Sequence, residues 1–349
     1  MPRAADPLPE PPGAIKLISL ADIRQAADRL RGITVRTPLL PFGEKGLVKP
    51  ESLQPTGSFK LRGAYNALAQ LAESGSRNGV VTHSSGNHAQ AVARAARLLG
   101  LRAVVVMPEN APRVKVDGVR ADGAEIVFVG PANAERVARA HQIADGQGLE
   151  LVSSANDSRV MAGQGTCGLE IVEQLAEMRL ATDEPVTVLA PIGLGGLAAG
   201  VAVAVKELRP ATKVIGVEPA FAADTRDSLA AGRLRRWSAE QTGRTMADGL
   251  RGEAPAAIPF AHLQRYLDGV VTVEEDQIAA AVSRAAAELR LVLEPSGAVT
   301  LAAMLFHAEH LPSARHVAIA SGGNVDRERF VALLARGYHS PEWSETNRS

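Results

Sequence analysis

Two kinds of apolar pattern alternate along the chain. Short runs rich in Val and Ile occur at 79–84 (GVVTHS), 102–108 (RAVVVMP), 124–130 (AEIVFVG) and 149–154 (LELVSS). Further runs follow at 186–193 (VTVLAPIG), 213–219 (KVIGVEP), 269–274 (GVVTVE) and 316–323 (HVAIASGG). Between them, the segments 87–99, 132–146, 164–180, 197–208, 275–290 and 296–309 carry apolar residues at helical spacing. The short runs suit strands buried on both faces, and the longer segments suit the helices that cover them. The alternation predicts an α/β fold of open, mostly parallel sheets flanked by helices. Crossovers fall into two sets, before and after about residue 154, which predicts two lobes with a cleft between them.

In such sheets, sites form where a strand ends and the chain turns into the next helix. Four of these turns have unusual composition: HSSGNHAQ, APIGLGGLAAG, EPAFAADT and ASGGNVD. Composition narrows the function classes. The 349 residues suffice for a large core, and 38 basic residues balance 38 acidic ones, so no global field recruits nucleic acid or an acidic membrane. Cys167 is the sole cysteine, which excludes an intramolecular disulfide and fits a reducing compartment. The Pro-rich start, MPRAADPLPEPPGAIK, lacks the apolar core of a signal peptide and reads as a disordered tail over residues 1–15. No apolar stretch is long enough for a membrane span. A soluble cytoplasmic protein is expected.

Basic sites in this chain are nearly always Arg, since only seven lysines occur. One of them, Lys60, follows a Pro-Thr-Gly-Ser-Phe turn where a helix is expected to begin. A cation is poorly placed against the dipole there, and Gly57 and Ser58 read as turn and cap. Lys60 is either an ordinary first-turn residue or an amine that must shed its proton to form a Schiff base. In PIGLGGLAAG, glycines 193, 195 and 196 permit a tight strand-to-helix turn; it is either a packing device or a phosphate site made of backbone N–H groups. In SSGNHAQA, Ser84 or Ser85 could cap the next helix, or the exposed N–H groups could hold a carboxylate. Glu218 and Asp224, six residues apart in GVEPAFAAD, are either solvated charges or oxygen ligands for a hard cation.

Taken in order, ESLQPTGSFKLRGA, SSGNHAQA, VMAGQGT, PIGLGGLAAG, EPSGA and SGGNVD resemble the fold-type II pyridoxal-phosphate enzymes, in the serine/threonine dehydratase and serine racemase branch. The likeness spans roughly residues 18 to 335. It implies that Lys60 carries the cofactor and acts as base at the substrate Cα, and that Asn87 meets the ring 3-hydroxyl. It further implies that Gly193, Leu194, Gly195, Gly196 and Leu197 cradle the phosphate, while Ser321 faces the ring nitrogen. The turn Ser85–Gly86–Asn87–His88 would take the substrate carboxylate, with Ser85 as the base on the opposite face and Arg136 near the substrate. Glu218, the Ala222 carbonyl and Asp224 would hold Mg²⁺ or another divalent cation. The same likeness implies a large cofactor-binding lobe from 16–60 plus 154–349, a small mobile lobe from 61–153, and a homodimer. The implied reaction is loss of water and ammonia from L-serine or L-threonine; serine racemisation and 3-hydroxyaspartate dehydration are the alternatives. Leu194 departs from the family's all-glycine phosphate loop, and Pro55 from its usual polar residue. Rivals from other classes are a nicotinamide oxidoreductase, which the glycine spacing does not fit, and an inactive amino-acid sensor.

Overall fold

The structure is a computed structural model that describes residues 15–76, 78–181, 183–312 and 314–338. The tail expected over residues 1–15 lies, but for Ile15, outside the described residues. Ten strands among the described residues form two sheets. The larger contains β1 (Leu40–Phe42), β2 (Gly46–Pro50), β7 (Val186–Pro191), β8 (Lys213–Pro219), β9 (Gly269–Val273) and β10 (Arg315–Ala320), in the order β1-β2-β10-β7-β8-β9. Only the β1–β2 hairpin is antiparallel. The smaller is parallel throughout, with β3 (Val80–His83), β4 (Ala103–Pro108), β5 (Glu125–Val129) and β6 (Glu150–Leu151) in the order β5-β4-β3-β6.

Helices supply the covering layers. The first seven are α1 (Leu20–Arg29), α2 (Lys60–Glu73), α3 (Asn87–Leu99), α4 (Arg113–Ala121), α5 (Asn133–Gln147), α6 (Ser158–Glu177) and α7 (Gly196–Leu208). Six more follow: α8 (Asp224–Ala231), α9 (Ala239–Thr242), α10 (Ala257–Tyr266), α11 (Glu275–Arg284), α12 (Pro295–Phe306) and α13 (Arg327–Tyr338). Apolar residues of α1, α6 and α7 pack in one core cluster with Val188 and Ile319, while α11 and α12 pack in a second with Leu189 and Ala318. Alternate residues of β7 and β10 thus point into opposite layers, as the near-continuous apolar strands require. None of the described helices is long and apolar enough to cross a membrane.

All eight apolar runs contain strands, and all six helical segments contain helices. The β1–β2 hairpin was not foreseen. Lys49 interrupts its apolar pattern, yet this lysine is fully buried and donates to the Thr37 carbonyl at 2.6 Å and to Glu170 at 2.6 Å. The helix expected over 164–180 begins earlier, at Ser158, because Asp157 caps it by accepting from the Arg159 N–H at 2.8 Å. Its glycines are contact points, since a Cβ on Gly163 would collide with the Arg62 carbonyl and one on Gly200 would lie 2.5 Å from the Met161 carbonyl. Helices α2, α6 and α7 therefore meet backbone to backbone.

One local expectation was wrong. Gly57 turns the chain at φ +68°, but Ser58 does not cap α2; the cap position is Phe59, with no side-chain bond. Ser58 instead bridges to Gly322, and its buried hydroxyl has no hydrogen-bond partner among the described residues. The bridge holds the turn before Lys60 against the loop after β10, as do the bonds from Phe59 N–H to the Ser321 carbonyl and from Gly323 N–H to the Gly57 carbonyl.

Candidate active site

Strand order reverses at β3 and at β7, since each has successive strands to one side and a later strand on the other. A ligand crevice is expected at such points, and the loops after β3 and β7 both open on one cleft. Its lining includes Lys60, the turn Ser84–His88, Ser154, Gly193–Leu197, Asp248, Glu294 and Ser321.

Lys60, the first residue of α2, projects its Nζ into this cleft, 3.3 Å from the Ser154 carbonyl and 4.9 Å from the Phe59 ring centre. Burial lowers its pKa to about 8, against a smaller upward pull from Glu294. A lysine in this setting is neutral far more often near neutral pH than an exposed one, and a nucleophile or base must be neutral.

Two helix starts aim uncapped N–H groups at the same space. The cap residue of α3 is Gly86 and that of α7 is Gly195, and neither has a side-chain cap. Neither Ser84 nor Ser85 caps α3; Ser84 Oγ accepts from the Gly86 N–H at 3.2 Å instead. Gly195 adopts φ +94°, and a Cβ there would lie 2.9 Å from the Pro259 Cβ, so both conformation and space require glycine. Leu194 lines the cleft, is 38% exposed and does not have positive φ, so the departure from an all-glycine loop puts no backbone strain on the turn. Cradle, amine and polar ends together fit a phosphorylated aldehyde.

Ser321 is buried at the end of β10 and donates to the Ser296 carbonyl at 3.3 Å. Asn87 donates through its Nδ2 to Glu294 Oε1 at 2.5 Å. His88 is buried beside Lys60, its Nε2 3.3 Å from the Val152 carbonyl; burial first, then the Lys60 charge, depress its pKa to about 3. The ring is thus neutral and no candidate acid. Ser85 is exposed within the cleft.

Lys115, Asp248 and Glu294 are cleft residues that sequence reasoning missed. Lys115, on α4 of the smaller sheet, lies 2.9 Å from Asp248 and 3.2 Å from Glu294, both on the larger side. Burial pulls its pKa down, but the two carboxylates outweigh that and raise it. Glu294 is raised by its own burial, against Lys115. Glu294 does not cap α12 through its side chain. Only its place across the cleft marks it.

Arg136 is not among the lining residues. It sits on α5, its Nη2 bonded to Asn133 at 3.0 Å and its Nε buried without a partner among the described residues, and burial lowers its pKa. Glu218 and Asp224 do come together, outside the cleft. Both are buried, and Glu218 accepts from the N–H groups of Thr225 at 3.0 Å and Arg226 at 2.9 Å. Burial raises both carboxyl pKa values, and the Glu218 charge raises Asp224 further. Asp224 Oδ2 has no hydrogen-bond partner among the described residues. Those residues contain no cluster of three or more His, Cys, Asp or Glu side chains, so any cation here needs carbonyl or water oxygens as well.

Comparison with known proteins bears on this geometry. The family model described as pyridoxal-phosphate dependent enzyme matches residues 31–322. An L-threonine ammonia-lyase of Thermotoga maritima is 37% identical over 328 residues, 92% of this chain and 79% of that protein. A serine racemase of Dictyostelium discoideum is 34% identical, covering 91% of this chain and 98% of that protein. Among solved structures, a threonine deaminase of T.th. superposes with a TM-score of 0.82 at 42% identity, covering 88% of this chain and 99% of that one. The match extends over both sheets and every loop of the cleft, and the chain belongs to the family of pyridoxal-phosphate dependent enzymes.

Proposed function

We propose that the protein deaminates a β-hydroxy amino acid, L-threonine or L-serine: the β-hydroxyl leaves as water, and water then hydrolyses the resulting imine to release ammonia, giving 2-oxobutanoate or pyruvate. The observation that carries this reading is the Lys60 amine, whose pKa burial lowers to about 8, facing uncapped helix starts in a chain similar to threonine ammonia-lyases. Pyridoxal phosphate, when bound, supplies a carbonyl carbon for amines and a sink for the electrons released at Cα.

The remaining roles belong to the protein. N–H groups of Gly193–Leu197 and the α7 dipole would hold the phosphate, and Lys60 would anchor the cofactor. Asn87 would donate to the ring 3-oxygen, and Ser321 would offer the ring nitrogen a hydroxyl rather than a carboxylate. The start of α3, from Ser85 to His88, binds the substrate carboxylate and orients Cα–H toward Lys60. Lys60, in its neutral form, would take the Cα proton. The Lys115–Asp248 and Lys115–Glu294 pairs link α4, beside the smaller sheet, to the Asp248 and Glu294 loops on the other side of the cleft. In this reading the elements between Leu61 and Ser153 form a small lobe that opens from a larger one of 16–60 and 154–349.

Serine racemisation is the second reading. It is favoured by the exposed Ser85 hydroxyl in the cleft, which can deliver a proton to the face opposite Lys60. Dehydration of 3-hydroxyaspartate has less support, because Arg136 does not line the cleft and Lys115 is already flanked by two carboxylates. A divalent cation such as Mg²⁺ at Glu218, Asp224 and the Ala222 carbonyl is part of the proposal, supported by the unpartnered Asp224 oxygen. So is a homodimer, for which the exposed Leu53 and Val292 offer apolar surface.

The test is a panel of β-hydroxy amino acids assayed for keto acid and, by chiral separation, for D-serine. Lys60→Ala is expected to abolish both turnover and the yellow colour of the cofactor-loaded protein. Retained turnover in that variant would refute the reading.

A further inference from the structure

We propose that Asn324, in the loop after β10, is a positioning residue that sets the amide orientation of Asn87 and thereby the donor presented to the cofactor ring. The inference rests on the functional reading above. The Thr56 carbonyl can only accept, and the Asn324 amide lies 2.8 Å from it, so the Asn324 NH₂ must face it. The same NH₂ lies 2.9 Å from the Asn87 amide oxygen and 3.2 Å from Gln90 Oε1. Two hydrogens serve three acceptors, and the two shorter contacts take them.

Asn87 is thereby fixed from one side: its oxygen turns to Asn324 and its NH₂ to Glu294 Oε1, 2.5 Å away. Flipping the amide would set NH₂ against NH₂ at Asn324 and oxygen against a carboxyl oxygen at Glu294, so both contacts oppose the flip. One Asn87 hydrogen is used by Glu294; the other has no acceptor among the described residues, and Asn87 lines the cleft. Asn324 also grips the turn that carries Lys60. A Cβ on Gly57 would collide with Asn324 Oδ1, and the loop's Gly323 N–H donates to the Gly57 carbonyl at 2.9 Å. One amide thus ties together the Lys60 turn, the start of α3 and the loop bearing Ser321.

The decisive variant is Asn324→Asp, which keeps the shape but cannot donate to either Thr56 or Asn87. Full-length protein is stripped of cofactor and titrated with pyridoxal phosphate, and the visible absorbance is recorded against pH. The expected result is a cofactor Kd raised about tenfold, the effect of one lost hydrogen bond in a polar site. A displaced visible band, or a displaced pH midpoint of that band, should accompany it. A folded variant with wild-type Kd and an unmoved band overturns the proposal, even if its melting temperature falls. If the aspartate variant does not fold, Asn324→Ala, which deletes the donor without adding charge, is judged by the same criteria. Wild-type protein that takes up no pyridoxal phosphate refutes the functional reading itself, an outcome distinct from an unaltered Asn324 variant.

Discussion

Two residues beyond Lys60, Arg62 stands fully buried in the first turn of α2, and the structure makes a sharp statement about removing it. Its guanidinium donates to Glu51 through Nε at 2.7 Å and Nη2 at 2.8 Å, and to Glu170 through Nη1 at 2.7 Å and Nη2 at 2.9 Å. Glu51 is fully buried; besides Arg62 it accepts from Thr37 at 2.9 Å and from the Gln54 amide. Burial pushes its pKa up, but Arg62 outweighs this and holds it below the usual value. In Arg62→Met, Glu170 keeps Lys49 at 2.6 Å, while Glu51 loses its bidentate partner. Breaking a buried pair from one side costs about 3–5 kcal/mol, because a buried charge is left uncompensated.

The pH dependence follows from the sign of the shift. A depressed carboxylate gives wild type stability that is present above the unfolded pKa and lost as pH falls through the folded one. In the variant burial is opposed only by Lys49 and two neutral donors, so Glu51 rises and its penalty grows as pH climbs above the unfolded value. The gap between the two proteins should be widest at neutral pH, narrow as pH falls through the raised Glu51 pKa of the variant, and close further only below the usual carboxylate range, where wild-type Glu51 is protonated as well. Urea unfolding between these limits measures it. Arg62→Met with Glu51→Gln should recover most of the loss, since no charge is then stranded. A gap below about 1 kcal/mol at neutral pH, or one constant across the range, would refute the reasoning, because 1 kcal/mol is what an exposed pair contributes.

Other outcomes test the cleft and the carboxylate pair. Cofactor uptake by stripped protein should quicken with rising pH, reach half its maximum near 8 as the Lys60 amine becomes neutral, and level off above that; a midpoint near the ordinary lysine value would contradict the lowered pKa. Gly195→Ala forces a Cβ into positive φ against Pro259 and should cost about 1–2 kcal/mol of stability together with phosphate affinity. Leu194→Gly should leave cofactor affinity within about twofold in the same titration, since the turn already accepts that side chain. Added Mg²⁺ should raise the melting temperature, and Asp224→Asn should remove that effect; an equal rise in both proteins would place the cation elsewhere.

The order of strands and helices was legible because each apolar run is nearly unbroken and each helix keeps its period, signals that need no partner to be read. Lys60 was legible through scarcity and its place after the Gly57 turn. Lys49, Glu51 and Glu294 were not: a charge within or beside an apolar run looks the same whether it is solvated or paired inside. Pairs separated by 207 residues, as Asn87 and Glu294 are, have no local signature. The expected Ser58 cap failed for the same reason, because a distant strand-like bridge to Gly322 took that segment.

By itself, then, the sequence determined eight of the ten described strands and the helices that alternate with them, which turns carry glycine, and where Lys60 stands, since these depend on local steric and hydrophobic rules. Tertiary structure alone decided the reversals at β3 and β7 that bring two helix starts to one cleft, and the burial that lowers the Lys60 pKa. It also decided which carboxylates are paired and which, like Asp224, are left with an unpartnered oxygen among the described residues. The electrostatics of a charge depend on what surrounds it in three dimensions, and that is set only when remote segments pack.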